Sequence, residues 1–117
     1  MTHPSPSNAA PIRVFLVDDQ TLVRQGIRSL LALAEGIEVV AEASDGRQAV
    51  EQIPQVAPDV VLMDMRMPVM SGLESLQAMS RAGILPPTII LTTFDDDALV
   101  LAGIKAGAKG YLLKDVS

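Results

Sequence analysis

At 117 residues the chain is sized for one domain, able to bury roughly two-thirds of the surface its unfolded form exposes. Apolar residues make up 49% and aromatics only 3%, so the core must be aliphatic, which excludes a base-stacking nucleic-acid platform. A net charge of -5 argues against a phosphate-backbone surface, and the absence of cysteine excludes disulfides, thiolate metal sites and cysteine nucleophiles.

Residues 1–11, MTHPSPSNAAP, are rich in Pro and Ser and read as a disordered tail, with His3 an ordinary tail residue. They lack the charged start and continuous apolar region of a signal peptide, and no later run approaches the roughly 18 apolar residues of a membrane span. A soluble, cytoplasmic chain with no membrane partner is expected.

From Ile12 two patterns alternate. IRVFLV (residues 12–17) is a nearly continuous β-branched and apolar run, as a strand covered on both faces requires. After DDQT, Leu22, Val23, Gly26, Ile27, Leu30, Leu31 and Ala34 recur every three or four residues, giving one helix face closed by Gly36. IEVVAEA (37–43) is the second strand. SDGRQAVEQI is the second helix, with Ala49, Val50 and Ile53 inward and a stop near Pro54 and Pro58; Ser44 and Asp45 start it.

DVVLMD is the third strand, followed by helix SGLESLQAMSRA with Leu73, Leu76 and Met79 inward. TIILTT (88–93) is the fourth strand. The next helix, DDDALVLAGIKAG, carries Asp95, Asp96 and Asp97 at its positive end and Gly107 as its stop, and GYLLK is a short fifth strand. Short connections between alternating strands and helices imply right-handed crossovers and a parallel sheet covered on both faces. The count is five strands and four helices.

In an open parallel sheet, ligands gather at the carboxyl ends of the strands. Those ends carry Asp18 and Asp19, then Asp64, then Thr92 and Thr93, then Lys114. Close carboxylates repel unless a cation lies between them, and clustered hard oxygens suit Mg²⁺. A metal and a lysine together would neutralise a phosphoryl group, a threonine hydroxyl could donate to it, and an aspartate there can act as the nucleophile. Asp64, on a central strand, is the leading candidate. Met63, Met65, Met67 and Met70 are read as core and loop filling instead of a soft-metal site, and Gly103, Gly107 and Gly110 follow a helix in the wrong order for a phosphate-cradling loop.

VDD after the first strand, LMDMRMP with SG soon after, LTT and YLLK, in this order and spacing, resemble the receiver domain of two-component response regulators, over residues 12–115. The resemblance implies a flavodoxin-like, doubly wound five-stranded sheet in the order 2-1-3-4-5. It implies that Asp64 is the phosphoacceptor, supplied by a phosphohistidine on a sensor histidine kinase. Asp19 would bind Mg²⁺ directly, Asp18 through a metal-bound water, and Arg66 through its backbone carbonyl. Thr92 matches the switch hydroxyl, Lys114 the phosphoryl-pairing lysine, and Tyr111 the aromatic residue coupled to the threonine.

The wording VFLVDDQTLVRQGIRSLL and LTTFDDD…AGAKGYLLKD is most similar to regulators with a LuxR-type helix-turn-helix output. Residues 12–117 are thus expected to be a receiver domain truncated before its fifth helix. Apolar residues of the first and fifth strands should then lie uncovered, and DNA would be bound only by an output domain outside this segment. A homodimer or other oligomer is expected through that exposed face or the surface of the fourth helix and fifth strand. Asp115 stands where many receivers have proline, which opens the question of a cis Lys114–Asp115 peptide.

Two other functions compete. A phosphatase using an aspartyl intermediate usually places a second acid two residues after its nucleophile, where this chain has Arg66. An interaction domain with a vestigial site would fail to bind Mg²⁺.

Overall fold

The computed structural model describes residues 10–93 and 96–114, so most of the expected tail, Asp95 and the Lys114–Asp115 peptide lie outside the described residues. Among the described residues nine elements follow in strict alternation: β1 (Ile12–Val17), α1 (Thr21–Ala32), β2 (Ile37–Ala43), α2 (Gly46–Val56), β3 (Val60–Asp64), α3 (Gly72–Arg81), β4 (Thr88–Thr92), α4 (Asp97–Lys105) and β5 (Gly110–Leu113). All pairings are parallel and the strand order is β2-β1-β3-β4-β5. That is the expected flavodoxin-like sheet.

The continuous apolar runs are explained by burial on both faces. On one side Phe15, Val17, Val61 and Met63 meet Ala49 and Ile53 of α2 and Met79 of α3. On the other, Val14, Leu16, Leu62 and Leu91 pack under Ile27 and Leu31 of α1. A third cluster joins Met65, Leu76, Ile90 and Ala108, which places Met65 in the core instead of the loop.

Local chemistry sets the helix starts. The Asp45 carboxylate accepts the Gln48 backbone N–H at 2.8 Å and starts α2. Ser71 and Glu74 form a reciprocal capping box at α3, with Glu74 N–H to Ser71 Oγ at 3.1 Å and Ser71 N–H to Glu74 Oε1 at 3.0 Å.

Three expectations are corrected. First, α2 runs through Pro54 to Val56. Proline there falls in the last turn, where it removes only one hydrogen bond, and the buried Ile53 anchors the turn; the Ala57 N–H donates to the Ile53 carbonyl at 2.8 Å from a left-handed conformation. Second, Leu22 and Leu30 of α1 are exposed and no α1 residue is fully buried, since only Val23, Ile27 and Leu31 turn toward the sheet. Third, β1 is uncovered only at its start, where Ile12 is exposed; Val14 and Leu16 are buried beneath α1. Among the exposed apolar residues, Leu112 and Leu113 of β5 and Leu22 and Leu30 of α1 line a groove of about 880 Å³.

Candidate functional site

The order 2-1-3 reverses the winding direction between β1 and β3, and the crevice outside the carboxyl ends of those strands is where such sheets bind ligands. β1 runs out into Asp18 and Asp19, and β3 ends on Asp64. One oxygen from each of these three carboxylates lies within 4.8 Å of the others. Asp18 is fully buried and Asp64 is 6% exposed, while Asp19 faces solvent.

Close packing fixes Asp64 in place. A Cβ on Gly72 would stand 2.0 Å from the Asp64 carbonyl oxygen, so only glycine lets the start of α3 approach the end of β3. The Gly72 N–H donates to the Met65 carbonyl at 3.1 Å, closing the loop after the strand.

Lys114, just beyond β5, reaches into the cluster. Its Nζ is 3.1 Å from Asp18 Oδ2, to which it donates, and 3.3 Å from Asp64 Oδ2. Its backbone N–H donates to the Thr92 carbonyl at 2.7 Å, which ties this residue to β4. The Gln20 N–H donates to Asp18 Oδ1 at 2.9 Å and the Arg66 N–H to Asp64 Oδ1 at 3.4 Å.

Burial pushes the Asp64 carboxyl up from 3.8 to about 6; the Asp18 charge adds to this and the Lys114 charge opposes it. Lys114 moves upward too: burial works against its charge, but attraction from Asp64 and the bond to Asp18 outweigh it. One ammonium therefore compensates the buried acids only in part. The donor set fits a small divalent cation, since three clustered carboxylates of hard oxygen chemistry leave negative charge that a metal would neutralise.

Asp19, Asp64, Arg66 and Lys114 line one cavity of about 220 Å³, together with Thr93 and Asp96. Thr92 is buried at the end of β4, but its hydroxyl donates to the Thr93 carbonyl at 3.3 Å and it lines a neighbouring cavity of about 180 Å³. Tyr111 lines that second cavity too and is largely exposed. The two residues thus share a cleft between α4 and β5, beside the acidic one.

Two residues carry roles the sequence did not reveal. Arg24 of α1 donates from Nη1 to the Asp18 carbonyl at 2.5 Å and from Nε to Glu42 Oε1 at 3.0 Å, bracing the acidic loop against β2. The spacing of Arg24 to its partners, across 18 residues for Glu42, offers no local signal. Asp96, among the acids read at the positive end of this helix, stands at the N-cap of α4, yet it makes no side-chain cap bond. Its carboxylate pairs instead with the Arg66 guanidinium, whose Nη2 donates to Oδ1 at 2.6 Å and whose Nε donates to Oδ2 at 3.1 Å. A fork of donors outcompetes a single backbone amide for a carboxylate.

Comparisons with known proteins agree with this fold. The family model described as the response regulator receiver domain matches residues 14–117. The nitrate/nitrite response regulator protein NarP of Escherichia coli (strain K12) is 50% identical over 107 residues, covering 92% of this chain and 50% of that protein. The chain spans about half the length of the curated relatives it matches. Among solved structures, the signal receiver domain of the putative response regulator NarL from Mycobacterium tuberculosis superposes with a TM-score of 0.85 at 36% identity, covering 93% of this chain and 88% of that one. A two-component response regulator of the LuxR family from Aurantimonas sp. SI85-9A1 gives a TM-score of 0.83 at 34% identity, covering 91% and 76%.

Proposed function

The chain belongs to the response regulator receiver domain family, and from that premise we propose that Asp64 accepts a phosphoryl group from a sensor histidine kinase. The observation that carries this reading is the meeting of Asp18, Asp19, Asp64 and Lys114 from the ends of three strands, with Asp19, Asp64 and Lys114 lining one cavity and buried Asp18 bonded to Lys114 behind them. A carboxyl at about 6 is mostly ionised at neutral pH and so available as a nucleophile. Its oxygen would attack the phosphorus of the phosphohistidine as the P–N bond breaks. The electron pair returns to the imidazole nitrogen, which takes its proton from solvent, leaving an acyl phosphate on Asp64.

Asp18, Asp19, Asp64 and the Arg66 backbone carbonyl would hold Mg²⁺, which when bound supplies charge neutralisation to the phosphoryl oxygens. Lys114 already spans Asp18 and Asp64. It would transfer its hydrogen bond from a carboxylate to a phosphoryl oxygen, keeping the site's charge balanced. Thr92 and Tyr111 would respond together through the cleft they share.

The modified domain would then change its affinity for a partner or a second copy, using exposed Leu101, Ile104 and Tyr111 on α4 and β5. Its output would be transcription control through a LuxR-type DNA-binding domain outside residues 12–117, in the cytoplasm. Among the described residues no helix is long and apolar enough to cross a membrane. The reading is tested by incubating the chain with acetyl phosphate and Mg²⁺ and weighing it intact. One phosphoryl group should add to the parent and none to Asp64→Asn; equal labelling of the two would remove Asp64 from the role.

A further inference from the structure

Arg66 and Asp96 form an ion pair that neither the phosphoacceptor chemistry nor the helix caps require. Arg66 leaves β3 two residues after Asp64, and Asp96 immediately precedes α4. Three contacts join them, at 2.6, 3.1 and 3.3 Å, and the Thr93 hydroxyl donates to Asp96 Oδ2 at 3.3 Å. Both members of this bridge line the cavity that holds Asp64.

The pair has a local cost. An aspartate at the N-cap normally accepts the N–H of the second or third helical residue, here Ala98 or Leu99. Asp96 has the residue type and position for that bond, yet makes none, because its carboxylate is turned to the guanidinium. The start of α4 is thus held to the β3–α3 loop but left uncapped. Arg66 holds the Asp96 carboxyl below the usual carboxylate range, and the Asp64 charge also acts on the guanidinium.

We infer that the Arg66 guanidinium is a movable cation that holds Asp96 before phosphorylation and turns to the phosphoryl group on Asp64 afterwards, freeing Asp96 to cap α4. The inference rests on the reading of Asp64 as phosphoacceptor. Its physical basis is competition for one fork of donors. A phosphoryl group offers three strong acceptor oxygens and more than one negative charge, against two oxygens and one charge on Asp96. Arg66 needs no backbone movement to choose between them, since its backbone N–H is already at Asp64 and its exposed side chain lines the same cavity. Modification at the end of β3 is thereby converted into a change of capping at α4, an element on the proposed partner surface. The Arg66 side chain is a positioning group in this scheme, distinct from its backbone, whose N–H meets Asp64 and whose carbonyl is the proposed metal ligand.

Amide hydrogen exchange, read with and without acetyl phosphate and Mg²⁺ in excess, separates the possibilities, with intact mass measured on the same samples. In the parent, phosphorylation should slow exchange at Ala98 and Leu99 by roughly threefold to tenfold, the size of one N-cap bond. In Arg66→Ala, these amides should be slow already before phosphorylation, and in whatever fraction intact mass shows to be labelled they should change little. In Asp96→Ala they should be fast in both states, whereas Asp96→Asn, which caps but pairs weakly, should behave as Arg66→Ala does. Full labelling with unchanged exchange in the parent, or an undiminished change in Arg66→Ala, overturns the exchange of partners while leaving Asp64 as phosphoacceptor. Absence of labelling in the parent overturns both.

Discussion

Replacing Asp64 by Asn should stabilise the metal-free domain while abolishing its phosphorylation. The side chain is buried beside Asp18, and a carboxyl moved from 3.8 to about 6 has its charged form penalised by roughly 3 kcal/mol relative to water. Asparagine keeps the shape and removes the charge. It also gives up the attraction of Lys114 at 3.3 Å, which is already counted in the net upward displacement. With relaxation and water entry, a gain of about 1–2 kcal/mol at pH 7.5 is expected, seen as a rise in Tm of roughly 4–12 °C for a domain of this size. The sign follows from linkage. Below about pH 4 Asp64 is protonated in both folded and unfolded chains, so the two proteins should nearly coincide. Between about 4 and 6 the folded parent binds the proton that the unfolded chain releases, so the parent loses stability relative to the variant as pH rises. Above about 6 the difference should be constant. Thermal unfolding in EDTA across this range, repeated with excess Mg²⁺, measures it, and the cation should raise the parent more than the variant. A variant less stable than the parent at pH 7.5 in EDTA would refute the premise that Asp64 carries uncompensated charge.

Lys114→Met should do the reverse. It leaves buried Asp18 and Asp64 without their shared ammonium, costing about 1–3 kcal/mol in EDTA by urea denaturation, with part of the loss restored by Mg²⁺; an unchanged midpoint would show that the bridge is weak. Gly72→Ala, whose new Cβ meets the Asp64 carbonyl at 2.0 Å, should lower stability by about 3 kcal/mol or more and reduce labelling with it. Val69 is a β-branched residue at φ 69° and largely exposed, so Val69→Gly should raise the unfolding free energy by about 0.5–1 kcal/mol after the entropy of glycine is offset, read as a higher urea midpoint. A lower midpoint would mean that the valine makes contacts that outweigh its backbone strain.

Every strand and helix among the described residues was legible in the sequence because each obeys a local rule. The runs at residues 12–17 and 60–64 are apolar throughout because both sheet faces are covered, and Asp45 stands where a helix must begin. The acidic cluster was legible for the same reason, since topology alone carries strand ends to one edge. What could not be read depended on competition between partners. Asp96 looks like a cap by position, and only three dimensions bring Arg66 close enough to take it. Arg24 braces Asp18 through a backbone carbonyl, which no residue pattern encodes. Pro54 stays in α2 because its place in the last turn, over buried Ile53, lowers the cost that proline imposes in a helix interior. Apolar residues of the first strand were expected to lie uncovered, but only Ile12 does, because Ile27 and Leu31 of α1 reach over Val14 and Leu16.

The central claim, that Asp64 becomes an acyl phosphate, is tested most directly by trapping the modified residue. Borohydride reduces an acyl phosphate, but not a free carboxylate, to the alcohol, so labelled chain should yield a peptide with homoserine at position 64 and unmodified aspartate at positions 18 and 19. Homoserine at 18 or 19, or aspartate retained at 64 in chain of which the intact mass has gained a phosphoryl group, would contradict it.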